Sequence, residues 1–187
     1  MDLHPLLIST GVVAIAEIGD KTQLLAIVLA AKFRKPLPII LGILAATLLN
    51  HAAAATVGFL ISEWLTGRTF QIVVGAAFLA MAGWALIPDK PDEGPKAAGR
   101  VGAFVATTIA FFLVEIGDKT QIATVALAAR FENIVVVTAG TTLGMMIANV
   151  PAVLGGELLA RKVPLRLVRL CAAASFVLLG VAVLLWG

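Results

Sequence analysis

Six apolar stretches, at roughly 6–31, 37–62, 69–88, 101–130, 134–160 and 165–186, occupy nearly all of a chain of 187 residues. A helix rises about 1.5 Å per residue and needs about 20 residues to cross the hydrocarbon core of a bilayer. Each stretch therefore has the length of one crossing. Charged residues make up 13% of the chain, about half the share that soluble domains carry, so a water-soluble surface cannot be built. Little remains outside the bilayer for a nucleotide-binding domain, a receptor head or a soluble catalytic lobe. Any function has to sit between the helices of an all-α integral membrane protein.

A net charge of +3 would suggest nucleic acid as a partner for a soluble protein; here the positions of the cations carry topology instead. Lys32, Arg34 and Lys35 follow the first span, Lys90, Lys96 and Arg100 the third, and Arg161, Lys162, Arg166 and Arg169 surround the turn into the sixth. The opposite side receives only Arg68 and Arg130. By the positive-inside rule the three richer places are cytoplasmic, and both termini are expected outside the cytoplasm. The start, Met1-Asp2-Leu3-His4-Pro5, has no cationic n-region and no small-residue cleavage pattern, so the first span is expected to be retained. Cys171 is alone and reads as a packing residue, which excludes an internal disulfide or a thiolate cluster.

A Pro-rich, charged segment from Pro88 to Lys96 divides the chain near its middle. Residues 1–88 form a first three-helix repeat, 89–100 a charged cytoplasmic linker, and 101–187 a second repeat. Sliding one half over the other by 98 positions carries Glu17 onto Glu115, Asp20 onto Asp118 and Gln23 onto Gln121, and Ala30-Ala31-Lys32-Phe33 onto Ala128-Ala129-Arg130-Phe131. Gly42 meets Gly140 and Gly58 meets Gly156 before the match fades in the third span. An odd number of spans per copy makes the second enter the membrane from the other side. The expected architecture is six transmembrane helices as two inverted three-helix repeats, with the site near the midplane where the repeats meet.

Glu-Ile-Gly-Asp-Lys-Thr-Gln occurs at 17–23 and again at 115–121, each time near the centre of an apolar stretch. A charge at that depth costs about 3 kcal/mol even on the lenient insertion scale, so Glu17, Asp20, Lys21, Glu115, Asp118 and Lys119 require neutralisation. On a helix Glu and Asp at i and i+3 share a face, and Gln at i+6 lies near it. The candidate ligands are therefore Glu17, Asp20, Gln23, Glu115, Asp118 and Gln121. Four carboxylates against two lysines leave a formal charge of −2, which one divalent cation balances. Carboxylate and amide oxygens suit Ca²⁺, Mn²⁺ or Mg²⁺ better than metals that prefer thiolate or imidazole. Gly19 and Gly117 permit a local unwinding of the span. Lys21 and Lys119 have no lone pair to offer a metal and are assigned to ion pairing.

Thr22, Asn50, His51, Thr120 and Asn149 are candidate pathway residues, with His51 and Asn149 equivalent under the shift; backbone or interhelical hydrogen bonding is the competing account for each. Gly140 and Gly144 form a small-xxx-small pair for close helix approach, and Pro151 is placed to bend the fifth span. Glu157 and Arg161 read as an interfacial ion pair. Glu63, Trp64, Arg68, Trp84 and Trp186 read as anchors at span ends.

The doubled motif resembles the signatures Glu-x-Gly-Asp-Lys/Arg-Thr/Ser of the calcium/manganese–proton antiporters of Golgi membranes and bacteria, and both copies match in full. The resemblance covers the whole chain, including the duplicated six-span plan and the charged linker. It implies export of a divalent cation from the cytosol in exchange for protons, with Glu17, Asp20, Glu115 and Asp118 as the acidic site. The transported ion, Mn²⁺ or Ca²⁺, is substrate, and no prosthetic group is expected; an oligomer is compatible with the plan. The expected location is a bacterial inner membrane. Two alternatives stand beside this reading: a carrier or channel for another divalent metal or an amino acid, and a membrane-embedded hydrolase. The hydrolase calls for intramembrane Arg to hold phosphate, which the span centres lack, so no enzyme is expected.

Overall fold

A computed structural model describes residues 3–87, 102–155 and 165–186. The linker to Arg100, Gly156, the Glu157–Arg161 pair and Lys162 lie outside the described residues, as does the side chain of Trp186. The described residues form eight helices and no strand: α1 (His4–Glu17), α2 (Lys21–Phe33), α3 (Pro36–Trp64), α4 (Gly67–Ala85), α5 (Ala103–Glu115), α6 (Lys119–Phe131), α7 (Ile134–Gly155) and α8 (Leu165–Trp186). By length and composition α3, α4 and α7 can each cross a membrane; α1, α5 and the Arg169–Leu185 part of α8 are shorter apolar helices.

The first and fourth apolar stretches are not continuous spans. Each is broken inside its motif, after Glu17 and after Glu115, and resumes at Lys21 and Lys119. The glycine in each gap carries a positive φ, 79° at Gly19 and 75° at Gly117. That region penalises a Cβ, so glycine between the acids is what lets the helix stop and restart. The equivalence continues to the ends of α2 and α6, where Arg34 (φ 52°) and Glu132 (φ 51°) adopt the left-handed conformation. Their amides donate to Ala30 O and Ala128 O, each at 2.9 Å, closing each helix before the chain turns.

The two halves are interleaved. The most extensive pairings are α1 with α7, α4 with α8, and α3 with both α5 and α6, so the first helix of each half packs on the long helix of the other. Glycine sets the spacing. A Cβ on Gly140 would stand 2.8 Å from Leu6 O and Ser9 Cβ, and one on Gly42 would stand 2.8 Å from Phe104 O and Thr107 Cβ. These two contacts are images of each other under the repeat shift. At Gly144 a Cβ would stand 2.6 Å from Thr10 O, so the small-residue pair on α7 does bring α1 close.

Two apolar clusters flank this crossing. One includes Phe78, Met81, Leu127 and Phe176, the other Leu25, Ile39, Ile43 and Phe111, and each draws on both halves. Arg68, at the start of α4, donates to Leu184 O at 2.8 Å, tying that end to α8. Trp64 is exposed at the end of α3, and Trp84 is partly buried. Pro151 lies inside α7 without ending it. Cys171, expected as a packing residue, is exposed on α8, with no neighbour covering it among the described residues.

Candidate metal-binding site

The two breaks deliver the acids to one place. Glu17 is the last residue of α1 and Asp20 the cap of α2; Glu115 and Asp118 hold the same positions on α5 and α6. Within each gap the aspartate amide reaches back to the glutamate carbonyl, at 3.0 Å in the first and 3.1 Å in the second. The glutamine three residues after each aspartate closes the gap from the other side: Gln23 Oε1 accepts from the Gly19 amide at 2.9 Å, and Gln121 Oε1 from the Gly117 amide at 2.7 Å. Gln23 also donates through Nε2 to Ala148 O at 3.0 Å, fastening the first break to α7.

Glu17, Glu115 and Asp118 are buried, and one carboxylate oxygen from each lies within 4.8 Å of the others. The three come from both halves. Neither oxygen of Glu17 has a hydrogen-bond partner among the described residues, nor has Glu115 Oε1; Glu115 Oε2 accepts from the Thr120 hydroxyl at 3.2 Å. Uncompensated carboxyls at zero exposure are costly. Each gap holds a helix C-terminus, of α1 or α5, and a helix N-terminus, of α2 or α6, so carbonyl and amide ends face it together.

The lysines pair across the halves. Lys119 Nζ lies 2.5 Å from Asp20 Oδ1, and Lys21 Nζ lies 3.4 Å from Asp118 Oδ1. Asp20 thereby stands with Lys119; it is near both glutamates but is not one of the three acids within 4.8 Å of one another. Four acids and two lysines formally leave two negative charges to be balanced at this place.

The remaining candidates are more scattered. Thr22 is buried with no partner for its hydroxyl among the described residues. Asn50 donates to Phe112 O at 3.1 Å, linking α3 to α5, and Asn149 donates to Met145 O at 3.1 Å within α7. Asn149 Oδ1 and both ring nitrogens of His51 are buried without a partner among the described residues. Sequence patterning does not single out Ser9 and Thr107, two turns before Glu17 and Glu115, whose buried hydroxyls are likewise unpartnered. Their equivalence under the repeat shift is the signal that points to them.

A family model described as "Divalent cation/proton antiporter GDT1" matches residues 5–93 and 103–187. A Vibrio cholerae protein named "Putative manganese exporter" is 52% identical over 178 residues, covering 95% of this chain and 88% of its own length. A GDT1-like protein of Synechocystis sp. is 29% identical over 188 residues, with 90% of this chain and 91% of that protein covered. GDT1-like protein 3 of Oryza sativa subsp. japonica is 30% identical over 187 residues, covering 86% of this chain and 66% of its own length. No solved structure matches the chain. The family description and the name of the Vibrio relative are those of transporters, not of enzymes. Matched along both halves on either side of the linker, the chain belongs to the GDT1 family of divalent cation/proton antiporters.

Proposed function

We propose that this chain exports Mn²⁺ or Ca²⁺ from the cytosol in exchange for protons, and that Glu17 and Glu115, joined by Asp118 and Asp20, bind metal and protons in alternation. The observation that carries the reading is the meeting of two buried glutamates from different halves with Asp118, one carboxylate oxygen of each lying within 4.8 Å of the others. One divalent cation supplies the missing charge; so do two protons. A site that accepts either, never both in full, is an exchanger.

The donors favour a hard divalent cation, since carboxylate and amide oxygens suit Ca²⁺, Mn²⁺ or Mg²⁺, and three carboxylate oxygens all within 4.8 Å of one another are close enough to share one ion. The name of the Vibrio relative favours Mn²⁺. In this reading Gln23 and Gln121 hold the two breaks open while turning a second lone pair toward the ion, and Thr22 and Thr120 stand beside the acids. Asn50, His51 and Asn149 line the approach, and Lys21 and Lys119 supply the ion pairs.

The membrane arrangement proposed with it has six spans, the α1–α2 and α5–α6 pairs each crossing once as a broken helix. The halves are inverted, both termini lie on the non-cytoplasmic side, and the location is a bacterial inner membrane. Reconstituted protein in vesicles carrying a pH gradient tests the whole: Mn²⁺ or Ca²⁺ should move against the proton gradient and dissipate it. Metal movement with no linked proton flux would instead support a channel or uniporter.

A further inference from the structure

The two motifs are equivalent in sequence but not in their contacts. Lys119, nearly buried at 4% side-chain exposure, is in close contact with Asp20 at 2.5 Å, whereas Lys21, at 20%, stands off from Asp118 at 3.4 Å. Asp118, in the looser pair, is one of the three acids within 4.8 Å of one another, whereas Asp20, in the closer pair, is near both glutamates but not one of the three. In a fold whose two halves carry the same motif, exchanging the roles of the halves defines a second arrangement, and access can alternate between the two.

We infer that Lys21 and Lys119 are positioning residues that select which aspartate joins Glu17 and Glu115: in the arrangement seen here Lys119 withholds Asp20 and leaves Asp118 to the site, and in its counterpart Lys21 withholds Asp118 and leaves Asp20. The inference rests on the exchange function proposed above, for which it supplies the two states. Both lysines stay charged throughout; what changes is which pair is closed. Each state then offers the ion the same three-carboxylate set, built from both glutamates and one aspartate, so the ion need not lose coordination as the halves move. The exchange also explains why the pairs run across the halves. A lysine that held the aspartate beside it in its own motif would report nothing about the other half.

The consequence is directional. Removing Lys119 withdraws support from the arrangement seen here, and removing Lys21 withdraws support from its counterpart, so the two variants shift the balance oppositely. Single cysteines at Ser9 and Thr107, in a Cys171→Ser background, report it. These buried positions are repeat equivalents on the α1–α7 and α5–α3 seams, and in an inverted fold they face opposite sides of the site. Labelling by a small thiol reagent is measured without metal, as the ratio of reactivity at position 9 to that at position 107.

Lys119→Met and Lys21→Met are expected to move that ratio in opposite directions, each by about tenfold, and Lys119→Arg and Lys21→Arg to restore it. Lys119→Gln and Lys21→Gln, which keep hydrogen-bonding capacity, carry the same expectation where a Met variant fails to fold. Ratios that move the same way, or stay put in both lysine variants, overturn the inference. Because labelling needs no transport, its failure is distinct from failure of the exchange function, which shows as absent metal-coupled proton flux in the unmodified protein.

Discussion

Phe78 and Phe176 stack on each other, ring centroids 6.5 Å apart and planes inclined by 25°, and each is the other's equivalent under the shift that carries Glu17 onto Glu115. Phe78 lies on α4 and Phe176 on α8, so the stack joins the last helix of one half directly to the last helix of the other. Phe78→Ala should destabilise the fold by about 3 kcal/mol, the low end for a buried Phe, since lipid rather than water surrounds the helices and packing is what is lost. Thermal unfolding in detergent measures it, with Phe78→Leu costing clearly less.

Glu17→Gln and Asp118→Asn should each abolish metal-coupled flux. Glu17→Gln lowers the charge of a buried acidic cluster and relieves repulsion, so its melting temperature should stay near that of the unmodified protein; Asp118→Asn also takes the partner from Lys21, and its melting temperature should fall. Flux retained in both variants would count against the assignment.

Glycine variants should separate backbone strain from crowding. Gly117 has φ +75° with nothing within 4 Å of an added Cβ, whereas Gly42 would drive a Cβ to 2.8 Å from Phe104 O. Gly117→Ala should cost about 1–2 kcal/mol through conformation alone, and Gly42→Ala about 1–3 kcal/mol through separation of α3 from α5. Gly83, helical and open, should tolerate Ala with a gain of up to about 1 kcal/mol. Equal effects at all three positions would contradict this account of the breaks.

The pH dependence has a definite sign. Metal binds the deprotonated carboxylates, so affinity rises with pH and falls as protons reclaim Glu17 and Glu115. With two protons displaced per ion, log Kd against pH should slope by about −2 in the range where the site titrates. Binding isotherms at stepped pH give the slope directly; a value near zero would remove proton competition from the mechanism.

The gathering of acids is legible in the sequence for a physical reason. Charges inside apolar stretches are too costly to be incidental, which singles out Glu17, Asp20, Glu115 and Asp118 as candidates, and the structure brings Glu17, Glu115 and Asp118 together. Gly19 and Gly117 flagged where a span can break, though the apolar pattern ran straight through both and read each stretch as one helix. The lysine pairing was not legible. Lys21 follows Asp20 in the chain, yet consecutive residues face apart, and its partner is Asp118 across the interface between halves. Nor did the glutamines disclose that their amide oxygens accept from the glycine amides, since that contact exists only once the helix has stopped. The Phe78–Phe176 stack lies in the third span, where the surrounding identity has drifted and one matching aromatic carries no signal alone.

The most direct test of the central claim is equilibrium binding of Mn²⁺ to purified protein at a pH where the site is deprotonated, comparing the unmodified chain with Glu17→Gln and Glu115→Gln. One ion per chain, lost in either single variant, is the expected result, because a single site takes a glutamate from each half. Two ions per chain, or binding that survives both substitutions, would contradict it.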